Sequence, residues 1–239
     1  MGKVIMSGVV PLLTEPVHGI AASTLSVGST VKLMESGSAV EYLVVNQGKP
    51  GGSSLYDDSC DGTWILRKAI HSSRAWNSSD TNTYASSAIN TWLNGDFFNT
   101  LGSVERATVK QVKIPYCVGG GSSTVNSGAN GLSVKVFPLG AYETGWTTGD
   151  NSDIPVDGAC TLYFAGAANS QRVANLNGSA SFWWLRSANT NRSGSVWFIT
   201  AKGGLGYGNA SSSYGVRPAL ILPKTALFDE TTMILKGVA

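Results

Sequence analysis

Phe182-Trp183-Trp184-Leu185-Arg186-Ser187 is a dense aromatic run. Ser195-Val196-Trp197-Phe198-Ile199-Thr200 follows, and Gly215-Val216-Arg217-Pro218-Ala219-Leu220-Ile221-Leu222 closes the series at Pro223. Each run is short and rich in aromatic and β-branched residues, so each reads as a strand. Between the second and third, Gly203-Gly204-Leu205-Gly206-Tyr207-Gly208 reads as a flexible turn region, because glycine reaches the backbone conformations that tight turns need. It lacks a Gly-Lys-Ser/Thr ending and opens no helix, so it is not read as a phosphate loop.

The residues framed by these runs have a distinct character. Asn, Ser, Tyr and Gly with occasional Trp and Arg are a contact palette. Aromatic rings supply rigid area and small polar groups supply adaptable hydrogen bonds. A polar segment held between stiff apolar strands is how a binding surface is built. The expected ligand-binding residues are Asn189, Asn191, Arg192, Ser195, Trp197, Tyr207, Asn209, Ser211, Ser213 and Tyr214. Trp197, Tyr207 and Tyr214 are the expected anchors, since aromatic residues often dominate binding energy. Trp183, Trp184 and Arg217 are read as scaffold.

Upstream, residues 27–33 and 39–45 alternate around Glu35-Ser36-Gly37-Ser38, a hairpin signal. Residues 62–70 are expected as a third strand. Tyr84, Ala88, Ile89, Trp92 and Leu93 share one helical face. Ser78, Ser79 and Asp80 are the expected caps of that helix, and Asn94-Gly95 its expected stop. Residues 96–101 read as a second helical turn, residues 109–114 and 133–137 as strands, and 141–143 as the start of a further turn. Residues 119–131 and 145–160 read as loops. Loops of that length usually carry function or are disordered.

The chain has 239 residues, 13% of them charged, with a formal net charge of +2. About 25% charged is usual. No Lys/Arg cluster offers the phosphate-neutralising surface that nucleic acid requires. No apolar run approaches the roughly 20 residues of a membrane helix. A hydrophobic share of 42% argues against disorder. Few stretches resemble amphipathic helices, so a helical bundle is not expected. Residues 1–24, interrupted by Pro11 and Glu15, read as a mature N-terminal arm for docking or oligomerisation. Residues 25–239 read as one ligand-binding domain.

No catalytic or metal constellation stands out. Cys60, Cys117 and Cys160 form no C-x-x-C pair, and an odd count leaves at least one free. His71 beside Ser72 has no nucleophile elbow and reads as a surface histidine. Asp57, Asp58 and Asp61 match no calcium loop. No cofactor is expected.

The paired motifs at 182–187 and 215–220 resemble the closing signature of a phage and bacterial domain family with the C-type lectin fold. That family is related to the formylglycine-generating sulfatase-modifying domains and to variable proteins diversified by retroelements. Trp92-Leu93-Asn94-Gly95-Asp96-Phe97, Val134-Lys135-Val136-Phe137-Pro138-Leu139 and Gly28-Ser29-Thr30-Val31 extend the resemblance over about residues 25–224. It implies an α+β, C-type lectin-like fold with small antiparallel sheets, two helices and long loops. It implies a non-enzymatic receptor-binding adhesin on a phage virion or tail, or on a bacterial cell surface. The partners so implied are a host-surface protein or glycan and neighbouring virion subunits reached through the N-terminal arm, with a homo-oligomer expected. The alternative is a structural virion decoration or tail-assembly protein. The chain carries none of the calcium-lectin triplets Glu-Pro-Asn, Gln-Pro-Asp or Trp-Asn-Asp. Its cysteines lie outside the signature, so a formylglycine-type enzyme is the lesser alternative.

Overall fold

A computed structural model of the chain describes residues 18–238. Two five-stranded sheets make the frame. Their strands, in chain order, are β1 (Thr30–Glu35), β2 (Ser38–Gln47), β3 (Thr63–Arg67), β4 (Ser72–Ala75), β5 (Val136–Phe137), β6 (Trp183–Ala188), β7 (Ser195–Ile199), β8 (Leu205–Asn209), β9 (Ser213–Val216) and β10 (Ala219–Leu222). The first sheet is ordered β5-β10-β3-β2-β1 and the second β8-β7-β6-β9-β4. The molecule is a mixed α and β domain with small, mostly antiparallel sheets. One pair, β6 with β9, is parallel, with Trp183 opposite Gly215.

The expected hairpin is present as β1 and β2. Ser36 and Gly37 both take positive φ, 46° and 80°, the paired left-handed conformation that matches the twist of the flanking strands. Ile20–Ala21 pairs with Ala226–Phe228. Residues 20–24 are therefore tied to the domain, and residues 1–17 of the expected arm lie outside the described residues.

The chain passes between the two sheets at two corners. One lies between β3 and β4, the other between β9 and β10 at Arg217-Pro218. They run side by side: Arg67 N donates to Pro218 O at 2.8 Å, and His71 N to Val216 O at 2.8 Å. Proline has no N–H for a ladder and interrupts a central strand. Two expectations are corrected here. Residues 215–222 are two strands in different sheets, not one. The strand expected over 62–70 ends at Arg67, and β4 follows it.

The second sheet is buried on both faces at β6 and β7. Trp184, Val196 and Phe198 join the main core with Leu33, Val44, Trp64 and Ile221. Trp183, Leu185, Trp197 and Ile199 form a smaller core with Ile70 and Ile154.

The expected helix starts later and runs farther. Ser87 caps it, its hydroxyl accepting from Asn90 N at 3.2 Å. Ala88–Trp92, a π-turn at Leu93–Phe97 and Phe98–Thr100 then follow without a break. Asn94-Gly95 does not stop it. Gly95 keeps a negative φ, and the Asn94 carboxamide accepts from Lys135 N and donates to Val136 O, fastening β5 to the helix. Ser103–Thr108 forms a separate helix. The strand expected over 133–137 divides into Leu132–Val134, paired with Val112–Ile114, and β5. The 119–131 segment holds a small pairing of Val125–Asn126 with Tyr116–Cys117.

Candidate binding surface

The region 203–208, expected as a turn, contains strand β8. Its alternation has a steric cause. On one face a Cβ at Gly206 would meet the Phe198 ring at 2.5 Å, and one at Gly208 would meet it at 3.2 Å. On the other face Tyr207 stands edge-on to Trp197, with ring centroids 5.3 Å apart. The glycines therefore make room for Phe198, while Tyr207 points to the opposite side.

The ten expected site residues divide by exposure. Asn191, Arg192, Tyr207, Asn209, Ser211 and Ser213 are exposed, with Tyr207 at 42%. The Arg192 guanidinium sits over the Tyr207 ring at 5.2 Å. Tyr214 is half-buried among Trp184, Phe198 and Phe182. Asn189, Ser195 and Trp197 are buried rather than exposed, and Trp197 reaches the surface as one wall of a cleft beside Tyr207. Trp197 is 2% exposed and donates its indole N–H to Asp153 O. Asn189 accepts from Asn191 N through its side chain and donates its own N–H to Ser195 O. These three support the surface from beneath. The unbroken apolar run at 196–199 was the available signal, because a strand buried on both faces loses its polar alternation.

Two residues that hold this surface were not singled out for it by sequence reasoning. The fully buried Asn82 places its side-chain nitrogen 3.1 Å from Asn189 O, 2.9 Å from Arg192 O and 2.8 Å from Ser195 O. Its side-chain oxygen accepts from Gly120 N at 2.7 Å. Asp80, expected only as a helix cap, instead accepts from Asn209 Nδ2 and Ser211 N. The bonds from Ser211 hold its carboxyl below the usual range.

A cleft of about 330 Å³ opens beside Tyr207, bounded by Trp146, Asp150, Asn151, Trp197 and Leu205. A second, of about 420 Å³, shares Trp146 and Asp150 and extends toward Arg172. Both lie within the range of small binding sites. Another cleft, of about 630 Å³, is lined by other elements, including Glu41, Arg67 and Lys68. Lys68 is paired with Glu41, and Arg67 with Glu35, so its charges are already satisfied.

The 145–160 loop that walls the first two clefts is anchored on a fully buried polar cluster. Arg186 grips Glu143 with two bonds, of 2.5 and 2.6 Å, and donates to Asp157 O at 2.8 Å. Tyr56 Oη donates to Glu143 at 2.8 Å. Ser187 Oγ donates to the Asp157 carboxylate and accepts from Ala141 N. Burial opposes charge on Arg186, but Glu143 and Asp157 outweigh it and hold the guanidinium firmly protonated. Burial pushes the Asp157 carboxyl up to about 6, against the pull of Arg186.

The three cysteines are free. Burial pushes Cys60 up to about 12 and Cys117 up to about 11, and raises Cys160 as well. Among the described residues no group of three or more His, Cys, Asp or Glu side chains is placed to hold a metal ion. No helix among them is long and apolar enough to cross a membrane.

Fold and surface together define a mixed α and β domain with an aromatic cleft beside a loop-and-strand surface. Residues 61–224 match the family described as a domain of unknown function, DUF6273, and the chain belongs to that family. The match begins after the β1–β2 hairpin and ends just beyond β10. No curated protein and no solved structure matches the chain.

Proposed function

We propose that the chain is a non-enzymatic binding domain with a C-type lectin-like fold. It presents the surface around Asn191, Arg192, Tyr207, Asn209, Ser211 and Ser213 to a protein or glycan on a host cell. One observation carries this reading. The exposed residues stand on segments fixed by the buried Asn82 and Trp197 and by the exposed Asp80, so their positions are set before a ligand arrives. Preorganised contact groups lose less entropy on binding. The sequence resemblance adds the setting: a phage virion or tail, or a bacterial surface, with attachment and oligomerisation through the N-terminal residues. Thiolate chemistry needs a lowered thiol pKa. The upward shift of all three cysteines therefore favours binding over a formylglycine-type enzyme.

The test is staining of a panel of bacterial cells with fluorescently labelled protein, read by flow cytometry. Tyr207→Ala and Arg192→Ala are expected to lose most of the staining while keeping the wild-type melting temperature. Equal staining by wild type and both variants, or none by wild type on any cell, would overturn the reading.

A further inference from the structure

Strand β8 is an edge of the second sheet. The ladder it forms with β7 is fixed at both ends. Thr200 N donates to Gly204 O at 2.8 Å, and Ala210 N to Gly194 O at 2.8 Å. Bonded and non-bonded pairs alternate along an antiparallel ladder. Gly206 and Gly208 therefore bond inward to β7. The N–H and C=O of Leu205 and Tyr207, and the N–H of Asn209, point away from it. Asn209 O is occupied by Ser212 N at 2.9 Å. The other five groups have no protein partner among the described residues.

Natural sheets usually blunt such an edge with charge, proline or a bulge. The opposite edge, β4, carries Arg74. Strand β8, Leu205-Gly206-Tyr207-Gly208-Asn209, carries no charge and no proline, and its register with β7 is unbroken. The cleft of about 330 Å³ adjoins it on the face of Trp197 and Tyr207. Two further groups at that cleft are unspent. The Trp146 indole N–H is buried without a partner. Asp150 uses Oδ2 to accept from Thr147, while Oδ1 has no bond among the described residues.

We propose that β8 receives an extended segment of a partner protein as a sixth strand of this sheet. The proposal rests on the binding reading above and names its ligand class. Main-chain bonds to Leu205, Tyr207 and Asn209 supply the pairing. Alternate side chains of an added strand fall on the same face, so one set enters the cleft. A side chain that presents an acceptor to the Trp146 N–H and a donor to Asp150 is the matching chemistry. A second copy of this chain is the poorer occupant, because its own Tyr207 ring is already packed on Trp197 and covered by Arg192.

The test is selection of linear twelve-residue peptides from an mRNA-displayed library on the full chain. Selected peptides are then resynthesised with alternate backbone amides N-methylated, in both phases. Expected are peptides that lose at least about tenfold in affinity in one methylation phase and not in the other. The same peptides are expected to weaken on Leu205→Pro, which removes one outward N–H and no inward bond. N-methylation alters only the peptide, so that measurement stands even where Leu205→Pro fails to fold. A selection without binders, or binders indifferent to methylation in both phases, would overturn the proposal. Cell staining that is lost in Tyr207→Ala but untouched by Leu205→Pro would leave the binding surface standing and remove the added strand. Glycan binding indifferent to Leu205→Pro would do the same.

Discussion

Phe198 lies across Gly206, so that a methyl group on the glycine would stand 2.5 Å from the ring. Gly206→Ala must therefore displace the ring or bend β8. Forcing one carbon into a filled site typically costs about 1–3 kcal/mol, and chemical denaturation is expected to show that loss. Phe198→Leu combined with Gly206→Ala is expected to lose less than the sum of the two single changes, because the pair shares one space. Strict additivity would show that the two residues do not meet in this way.

Asn82 supports the exposed loop from within. Asn82→Ala leaves the carbonyls of Asn189, Arg192 and Ser195 without its amide. Ser195 O still accepts from Asn189 N and Arg192 O from Ser195 N, so Asn189 O and Gly120 N are the groups left unpaired, at about 1–3 kcal/mol each before local relaxation. The expected result is a loss of about 3 kcal/mol in stability, with faster amide exchange concentrated at residues 189–195. Asn82→Asp keeps the acceptor and removes the donors, so it is expected to loosen the same loop. Unchanged exchange there would contradict the role assigned to Asn82.

The two kinds of ion pair in this molecule are expected to respond differently. Arg186 and Glu143 are wholly inaccessible, whereas Lys68 and Glu41 are about half exposed, 49% and 51%. Glu143→Gln takes from a buried guanidinium the carboxylate bonded to it, with Asp157 the remaining nearby acid, and is expected to cost about 3–5 kcal/mol. Glu41→Gln is expected to cost under about 1 kcal/mol, because water screens that pair. Comparable losses in the two variants would show that burial does not separate them.

Asp157 links stability to pH. Its carboxyl is pushed up to about 6 in the folded chain, from an ordinary value of 3.8. Between those values the folded chain binds more protons at this site than the unfolded one, so this term lowers stability as pH rises. Relative to Asp157→Asn, the wild type is expected to gain on the order of 2–3 kcal/mol as pH falls from 7 to 4. His71 acts in the opposite sense, because burial lowers its pKa and protonation opposes folding. The comparison with Asp157→Asn cancels that term. Identical pH profiles for the two proteins would remove Asp157 as the source.

The sequence made the strand content legible wherever the period was clean. The β1–β2 hairpin shows its turn in Ser36-Gly37, and the aromatic runs mark β6 and β7. It misled where one residue type serves two purposes. Glycines at 206 and 208 read as turn formers, yet they are small because Phe198 covers them. Asn94-Gly95 read as a helix stop, yet Asn94 fastens β5. The exposed polar patch was legible as composition, and Tyr207 and Arg192 lie at the surface. Burial was not, because Trp197 looks the same in a sequence whether it faces water or Ile199. Asn82 and Asp157 act across more than a hundred and about thirty residues of chain respectively, and no local spacing marks such partners.

Trp183 and Gly215 lie opposite each other in neighbouring parallel strands, and Gly215 N donates to Phe182 O at 2.9 Å. The two signature motifs are thus fastened together at their bases. Between them the chain runs through β7 and the edge strand β8 of the same sheet and returns to an adjacent point. Changes of length in the exposed turns between these strands need not move either base, whereas β7 is buried and packs against Trp184. Closing a longer loop between fixed ends costs little extra entropy. The exposed turns are in this sense the replaceable part of a cassette whose floor, β7, belongs to the fitting.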